Sequence, residues 1–188
     1  MAAVITILFS DNGWNGTSGE FRDNEGTFSW TSTSTLTAGT MVDYTDNAFS
    51  IGSYAADSGT FAASASGDTI LAFTGSKASP TFAGGIGWAM GTPWTFFDNP
   101  NTSDIPTEIL GNQIELGTSD NYVYTGITSG TVAQLRTAIQ DVSNWSGDNS
   151  TAVNYGGVNF NIAPEPSSFA LLAGVFAIAS VMYRRRGA

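Results

Sequence analysis

Short runs of β-forming residues, separated by clusters of Gly, Asn, Asp and Ser, recur along most of this chain. Val4–Phe9, Gly26–Ser32, Thr40–Tyr44, Thr69–Thr74, Phe82–Met90, Gln113–Gly117 and Asn121–Tyr124 are the first seven candidate strands. Val158-Asn-Phe160-Asn-Ile162 alternates most cleanly and is expected to close the domain, with three apolar side chains on one face and asparagines on the other. Phe28 and Trp30 share a face in the same way, as do Val42 and Tyr44. Repeated short strands with turn residues between them predict a mainly β fold, a β-sandwich with one short α-helix. The helix is expected within Ser129–Val142, where Val132, Leu135, Ile139 and Val142 recur at helical spacing after a Ser/Thr cap. Trp145 follows and is placed to pack that helix back onto the sandwich.

The pattern changes at the C-terminal end. Phe169–Tyr183 contains no charge and one polar side chain, Ser180. A helix from Ser167 to Tyr183 would be about 25 Å long, at the lower limit for a hydrocarbon core of roughly 30 Å. The run has no polar face to turn toward water, and it ends in a tyrosine and Arg184-Arg185-Arg186, residues that anchor at headgroups. We therefore expect a single transmembrane helix at 169–183, with 184–188 as a basic cytoplasmic tail. The competing reading is an apolar helix packed on a soluble body.

Charge sharpens this division. The 188 residues, about one domain's worth, include 16 acids and 6 bases, a formal net charge of −10. Half of the bases are the terminal arginines; Arg22, Lys77 and Arg136 are scattered through the acidic remainder. By the positive-inside rule the arginines stay in the cytoplasm and residues 1–162 form an extracytoplasmic domain. An acidic surface repels DNA and RNA, which excludes nucleic acid as a partner. The chain has no His and no Cys, so imidazole- or thiolate-based catalysis, metal ligation through these groups and disulfides are excluded.

Between body and apolar run, residues 163–168 read Ala163-Pro164-Glu165-Pro166-Ser167-Ser168. The two prolines lack amide donors and bias the chain toward extended backbone, making an exposed linker. The order Pro164-Glu165-Pro166, short apolar helix, Arg184-Arg185-Arg186 closely resembles the PEP-CTERM sorting signal of Gram-negative bacteria that make extracellular polysaccharide. The resemblance covers residues 163–188 and implies recognition by an exosortase, a membrane transpeptidase-like enzyme. The precursor would sit transiently in the cytoplasmic (inner) membrane, lose its tail, and pass to the cell surface or extracellular matrix. Met1–Ser10 has no positively charged n-region and no small-residue cleavage pattern. We read Val4–Phe9 as a strand whose upstream partner and secretory signal precede it.

The body is loosely similar to the lamin-tail-like β-sandwiches of secreted bacterial proteins. The similarity rests on Phe9-Ser-Asp-Asn-Gly-Trp-Asn15, Asn24-Glu-Gly-Thr-Phe-Ser-Trp30, Ala65-Ser-Gly-Asp-Thr-Ile-Leu-Ala-Phe73 and Thr128-Ser-Gly-Thr-Val-Ala-Gln-Leu135. A shared fold does not supply a function.

Candidate chemistry is sparse. Paired carboxylates such as Asp23 with Glu25, or Asp43 with Asp46, could hydrolyse a glycosidic bond, but spacing selects neither pair, and we expect no catalytic residues. Asp11, Asp43 and Asp46, on loops with Asn and Ser, are candidate calcium ligands. The competing reading of Asp11-Asn12-Gly13 and Asp23-Asn24-Glu25-Gly26 is a pair of turns, and no cofactor is expected. Trp14, Trp88 and Trp94, with Phe96-Phe97, could stack on sugar rings or simply fill the interior. Asn15, Asn101, Asn144 and Asn149 each open an Asn-X-Ser/Thr triplet, which implies nothing in a bacterium. The sequence reading is thus an exported, non-enzymatic structural or adhesion protein, with extracellular polysaccharide as a candidate partner. A calcium- or glycan-binding module is its first rival, and a carboxylate-dependent hydrolase its second.

Overall fold

The computed structural model describes residues 4–89, 103–151 and 159–164. Its strands, in chain order, are β1 (Thr6–Ser10), β2 (Trp14–Asn15), β3 (Glu20–Phe21), β4 (Thr27–Thr31), β5 (Tyr44–Thr45), β6 (Ala48–Phe49), β7 (Ser53–Ser58), β8 (Asp68–Ser76) and β9 (Ser79–Trp88). They continue with β10 (Gln113–Glu115), β11 (Asn121–Tyr124), β12 (Ser129–Gly130), β13 (Trp145–Asp148) and β14 (Asn161–Ile162), with helix α1 (Val132–Gln140) after β12. Among the described residues the fold is mainly β with one α-helix, as the sequence predicts for the body. Six strands form a sheet in the order β10-β9-β8-β1-β4-β7, and the rest form two-stranded ribbons. All pairings in the large sheet are antiparallel except β9 with β10.

Alternation along β1 sets up two cores. Leu8 and Ser10 face one side, Ile7 and Phe9 the other. Register extends each set sideways: Leu8 lies opposite Phe73, Ser10 opposite Leu71, and Phe73 opposite Phe82. Onto this face fold Trp14 and Phe21 from the β2–β3 ribbon and Ile105 and Ile109 from the segment before β10, completing the buried cluster. Trp14 sits edge-on to Phe21 at 5.2 Å and to Phe82 at 4.9 Å, geometry that the aromatic quadrupole favours. On the opposite face Phe9 pairs with Phe28 and Trp30 with Tyr54, and the β5–β6 ribbon lays Tyr44 and Phe49 over them. Phe28 and Tyr44 stack at 4.6 Å and 9°.

The architecture is therefore sandwich-like, with ribbons rather than a second continuous sheet as the outer layers. Several expectations need correction. Strand β1 is an inner strand, with β4 on one edge and β8 on the other. Thr40–Tyr44 is not a strand: Thr37–Thr40 is a turn, and only Tyr44–Thr45 pairs, with Ala48–Phe49. Val158 lies outside the described residues, and of the expected closing strand only Asn161–Ile162 pairs, in parallel with Ser129–Gly130 and apart from the main sheet. Strand β7 escapes a hydrophobicity pattern because it is an edge strand with mostly exposed residues.

Helix α1 forms where its cap predicts. Thr131 Oγ1 accepts the Gln134 amide at 3.2 Å while Gln134 Oε1 accepts the Thr131 amide at 2.9 Å, a complete capping box. Its apolar face is narrower than the spacing predicts: Leu135 is buried, whereas Val132 is half exposed and Val142 lies beyond the helix. Trp145 docks as expected, its Nε1 donating to the Ile139 carbonyl at 2.8 Å. The expected transmembrane segment 169–183 lies outside the described residues, and no helix among those described is long and apolar enough to cross a membrane. Phe73 is fully buried in the first core, so Phe73→Ala should lower unfolding free energy by about 3–5 kcal/mol, read from the urea midpoint.

Candidate functional site

The acidic candidates of the N-terminal region fold inward. At the end of β1, Ser10, Asp11 and Asn12 are all at most 1% exposed. Asp11 Oδ1 accepts the Gly26 amide at 2.7 Å and Oδ2 the Ala62 amide at 2.6 Å. Asn12 closes the same knot, with Oδ1 accepting the Glu25 amide at 2.9 Å and Nδ2 donating to the Gly26 carbonyl at 3.0 Å. Asp68, at the start of β8, repeats the device with the Ser64 and Thr69 amides, at 2.8 and 2.7 Å. Buried carboxylates are tolerated because oriented N–H donors replace water. The carboxylate of Asp11 thus pins two backbone segments, a role the sequence reading did not assign; the buried Ser-Asp-Asn run directly after a strand was its signal.

The other calcium candidates do not join it. Asp43 is half-buried, and its amide donates to Ser50 Oγ at 2.9 Å. Asp46 is exposed at the turn between β5 and β6, where Asp46 and Asn47 both take left-handed backbone, φ +51° and +61°. Consecutive left-handed residues in a two-residue hairpin turn are what Asx side chains tolerate. Among the described residues no three His, Cys, Asp or Glu side chains group as a metal site. Of the carboxylate pairs weighed for hydrolysis, Asp23 is exposed and ion-paired with Lys77 at 2.6 Å.

The tryptophans turn inward where they are described. Trp14 belongs to the first core, and Trp88 is half-buried with Nε1 donating to the Ser64 carbonyl at 2.9 Å. Trp94, Phe96 and Phe97 lie outside the described residues. An open groove of about 490 Å³ runs beside α1, floored by Phe82, Ile109, Ile114 and Leu135 and rimmed by Glu108 and Arg136. Sequence reasoning missed it, since it arises where the helix, the β10 edge and the returning β14 segment meet without filling the space between them.

That returning segment ends the described body. The Asn161 amide donates to the Thr128 carbonyl at 2.7 Å and the Ala163 amide to the Gly130 carbonyl at 2.8 Å. Pro164 follows, exposed and without an amide hydrogen to extend the pairing. Of the candidate sorting residues Pro164 is thus described, while Glu165, Pro166, Arg184, Arg185 and Arg186 lie outside the described residues. Comparison with family models, with curated proteins and with solved structures returns no match for the chain.

The buried carboxylates leave a mark on titration. Glu25 is pushed above its ordinary value by partial burial first, then by the charges of Asp68 and Asp11. Asp68 is raised by burial, which outweighs the opposing effect of its two amide donors. A carboxyl raised in the folded state opposes folding while ionised and stops opposing it once pH falls below its ordinary range. Glu25→Gln should therefore raise the melting temperature at neutral pH, with the gain shrinking as pH falls through the carboxylate range. Thermal melts of both proteins across that range check the sign.

Proposed function

We propose that this chain is an exported, non-enzymatic surface or matrix protein, delivered by an exosortase acting on the tail that begins at Pro164. The observation that carries the reading is the order of the C-terminal sequence: Pro164-Glu165-Pro166, an uncharged run to Tyr183, then Arg184-Arg185-Arg186. Its position supports the same reading. Ala163 makes the last backbone hydrogen bond among the described residues, and Pro164, which opens the Pro-Glu-Pro stretch, is exposed. The body itself is suited to a structural or adhesive task, since Asp11 and Asp68 anchor backbone, Asp46 sits in a turn and Asp23 pairs with Lys77. The inner membrane is then a way station, and the cell surface of a polysaccharide-producing Gram-negative bacterium the destination.

Replacing Pro164-Glu165-Pro166 by three alanines should leave a membrane-bound, unprocessed precursor in an exosortase-containing host, seen as a larger band in the membrane fraction. Normal processing of that variant would remove the sorting reading.

A second reading, a glycan-binding module, is favoured by the groove beside α1, whose apolar floor and rim side chains Asn112, Arg136 and Gln140 suit a sugar's faces and hydroxyls. A glycan array probed with the full chain and with Arg136→Ala separates the two: retained sugar that is lost in the variant supports binding, and an empty array supports the structural role alone.

A further inference from the structure

Two Asn-Gly steps stand close together near the N-terminal end, Asn12-Gly13 and Asn15-Gly16. At such a step the glycine amide nitrogen can attack the asparagine side-chain carbon, because no Cβ on the following residue blocks the approach. The fold treats the two asparagines in opposite ways. Asn12 is fully buried, with its carbonyl and its amide nitrogen both committed to the knot around Gly26. Asn15 is half-buried at the Asn15–Gly19 turn joining β2 to β3. Its Oδ1 accepts the amides of Thr17 at 3.0 Å and Ser18 at 3.2 Å, and its Nδ2 makes no hydrogen bond to another described residue.

The attacking group is also prepared. The Gly16 amide donates to Asp104 Oδ2 at 2.6 Å, and Asp104 is 3% exposed. The approach is close: a Cβ at Gly16 would lie 3.1 Å from that oxygen. An acyl transfer needs a polarised carbonyl, a base on the nucleophile's proton and a leaving group free to depart. Two amides on Oδ1, a carboxylate on the Gly16 N–H and an Nδ2 with no partner among the described residues supply them.

We propose that Asn15-Gly16 is a built-in deamidation site, with Asp104 as the base that receives the Gly16 amide proton. The Gly16 nitrogen bonds to Asn15 Cγ as its proton passes to Asp104 Oδ2, and the charge gathering on Oδ1 is held by the Thr17 and Ser18 amides. The Cγ–Nδ2 bond then breaks and ammonia leaves with the proton, giving a five-membered succinimide. Water opens the ring at either carbonyl, producing aspartate or isoaspartate at position 15. One water is consumed and one ammonia released, with no change of oxidation state. The new carboxylate lies opposite Glu20 in the β2–β3 register, and like charges facing each other weaken a ribbon. Isoaspartate also lengthens the main chain beside Trp14, so the modification loosens the cover of the first core.

The test follows the full chain over time at mildly alkaline pH, natively folded and in urea, with digestion and mass spectrometry resolving positions 12 and 15. In the folded protein Asn15 should convert at least about tenfold faster than Asn12, and faster than Asn15 of the urea-unfolded chain. Asp104→Asn should slow Asn15 while leaving Asn12 unchanged; a simultaneous rise at Asn12 would report unfolding of the variant, and the native-against-urea comparison then decides. Conversion of Asn15 that is slower folded than unfolded, or indifferent to Asp104→Asn in a folded variant, would overturn the proposal.

Discussion

Strand β1 is the constraint on which the rest depends. Its five residues carry hydrogen-bond ladders to β4 on one edge and β8 on the other, and contribute to both interiors. Leu8 enters the cluster with Leu71, Phe73 and Trp14, while Phe9 enters the aromatic stack with Phe28 and Phe49. Its last residue continues the linkage, since Ser10 Oγ meets Thr27 Oγ1 at 2.8 Å and donates to the Gly26 carbonyl at 3.0 Å. A one-residue slip would exchange the two faces and put Ser10 where Phe9 belongs, so register here is fixed by both cores at once.

The second organising theme is the use of carboxylates in a chain with few cations. With Arg22, Lys77 and Arg136 the only bases of the body, most acids cannot find an ion-pair partner. Asp11 and Asp68 take backbone amides, three of them from loops without regular structure, and Asp104 accepts a further one from Gly16. Each bond fixes a loop with no contribution from side-chain length, which suits segments made mostly of Gly, Ser and Ala. The penalty falls on Glu25, whose carboxyl is pushed above its ordinary value by partial burial first and then by the charges of Asp68 and Asp11.

Much of this was legible in the sequence, and what was not has physical causes. Strands with strong alternation, such as Thr27–Thr31 around Phe28 and Trp30, stand where the pattern puts them, because burial of alternate side chains is a local signal. The cap and start of α1 were equally readable from Thr131 and Gln134. Strand β7 was not, since its place is set by the partner β4 rather than by its own polar side chains. The closing strand pairs over less than its alternation suggests: Phe160 and Ile162 share a pattern, yet among the described residues only Asn161–Ile162 is paired, because β12 offers a partner of two residues. Among candidate site residues, Asp11 was found but its amide partners were not foreseen, because Ser-Asp-Asn-Gly reads the same whether the carboxylate faces a cation or two amides. The groove beside α1 depends on how distant segments meet, which no local pattern encodes. Asp104 went unnoticed because its partner, Gly16, is remote in sequence.

The two-residue pair between Asn161–Ile162 and Ser129–Gly130 has a mechanical consequence. Load entering through the C-terminal end reaches these few hydrogen bonds before any strand of the large sheet. They act as a fuse: rupture frees the last described residues as slack, while β1 and its neighbours, engaged through much longer ladders, stay under little tension. A body hung from that end would yield there first and keep its shape.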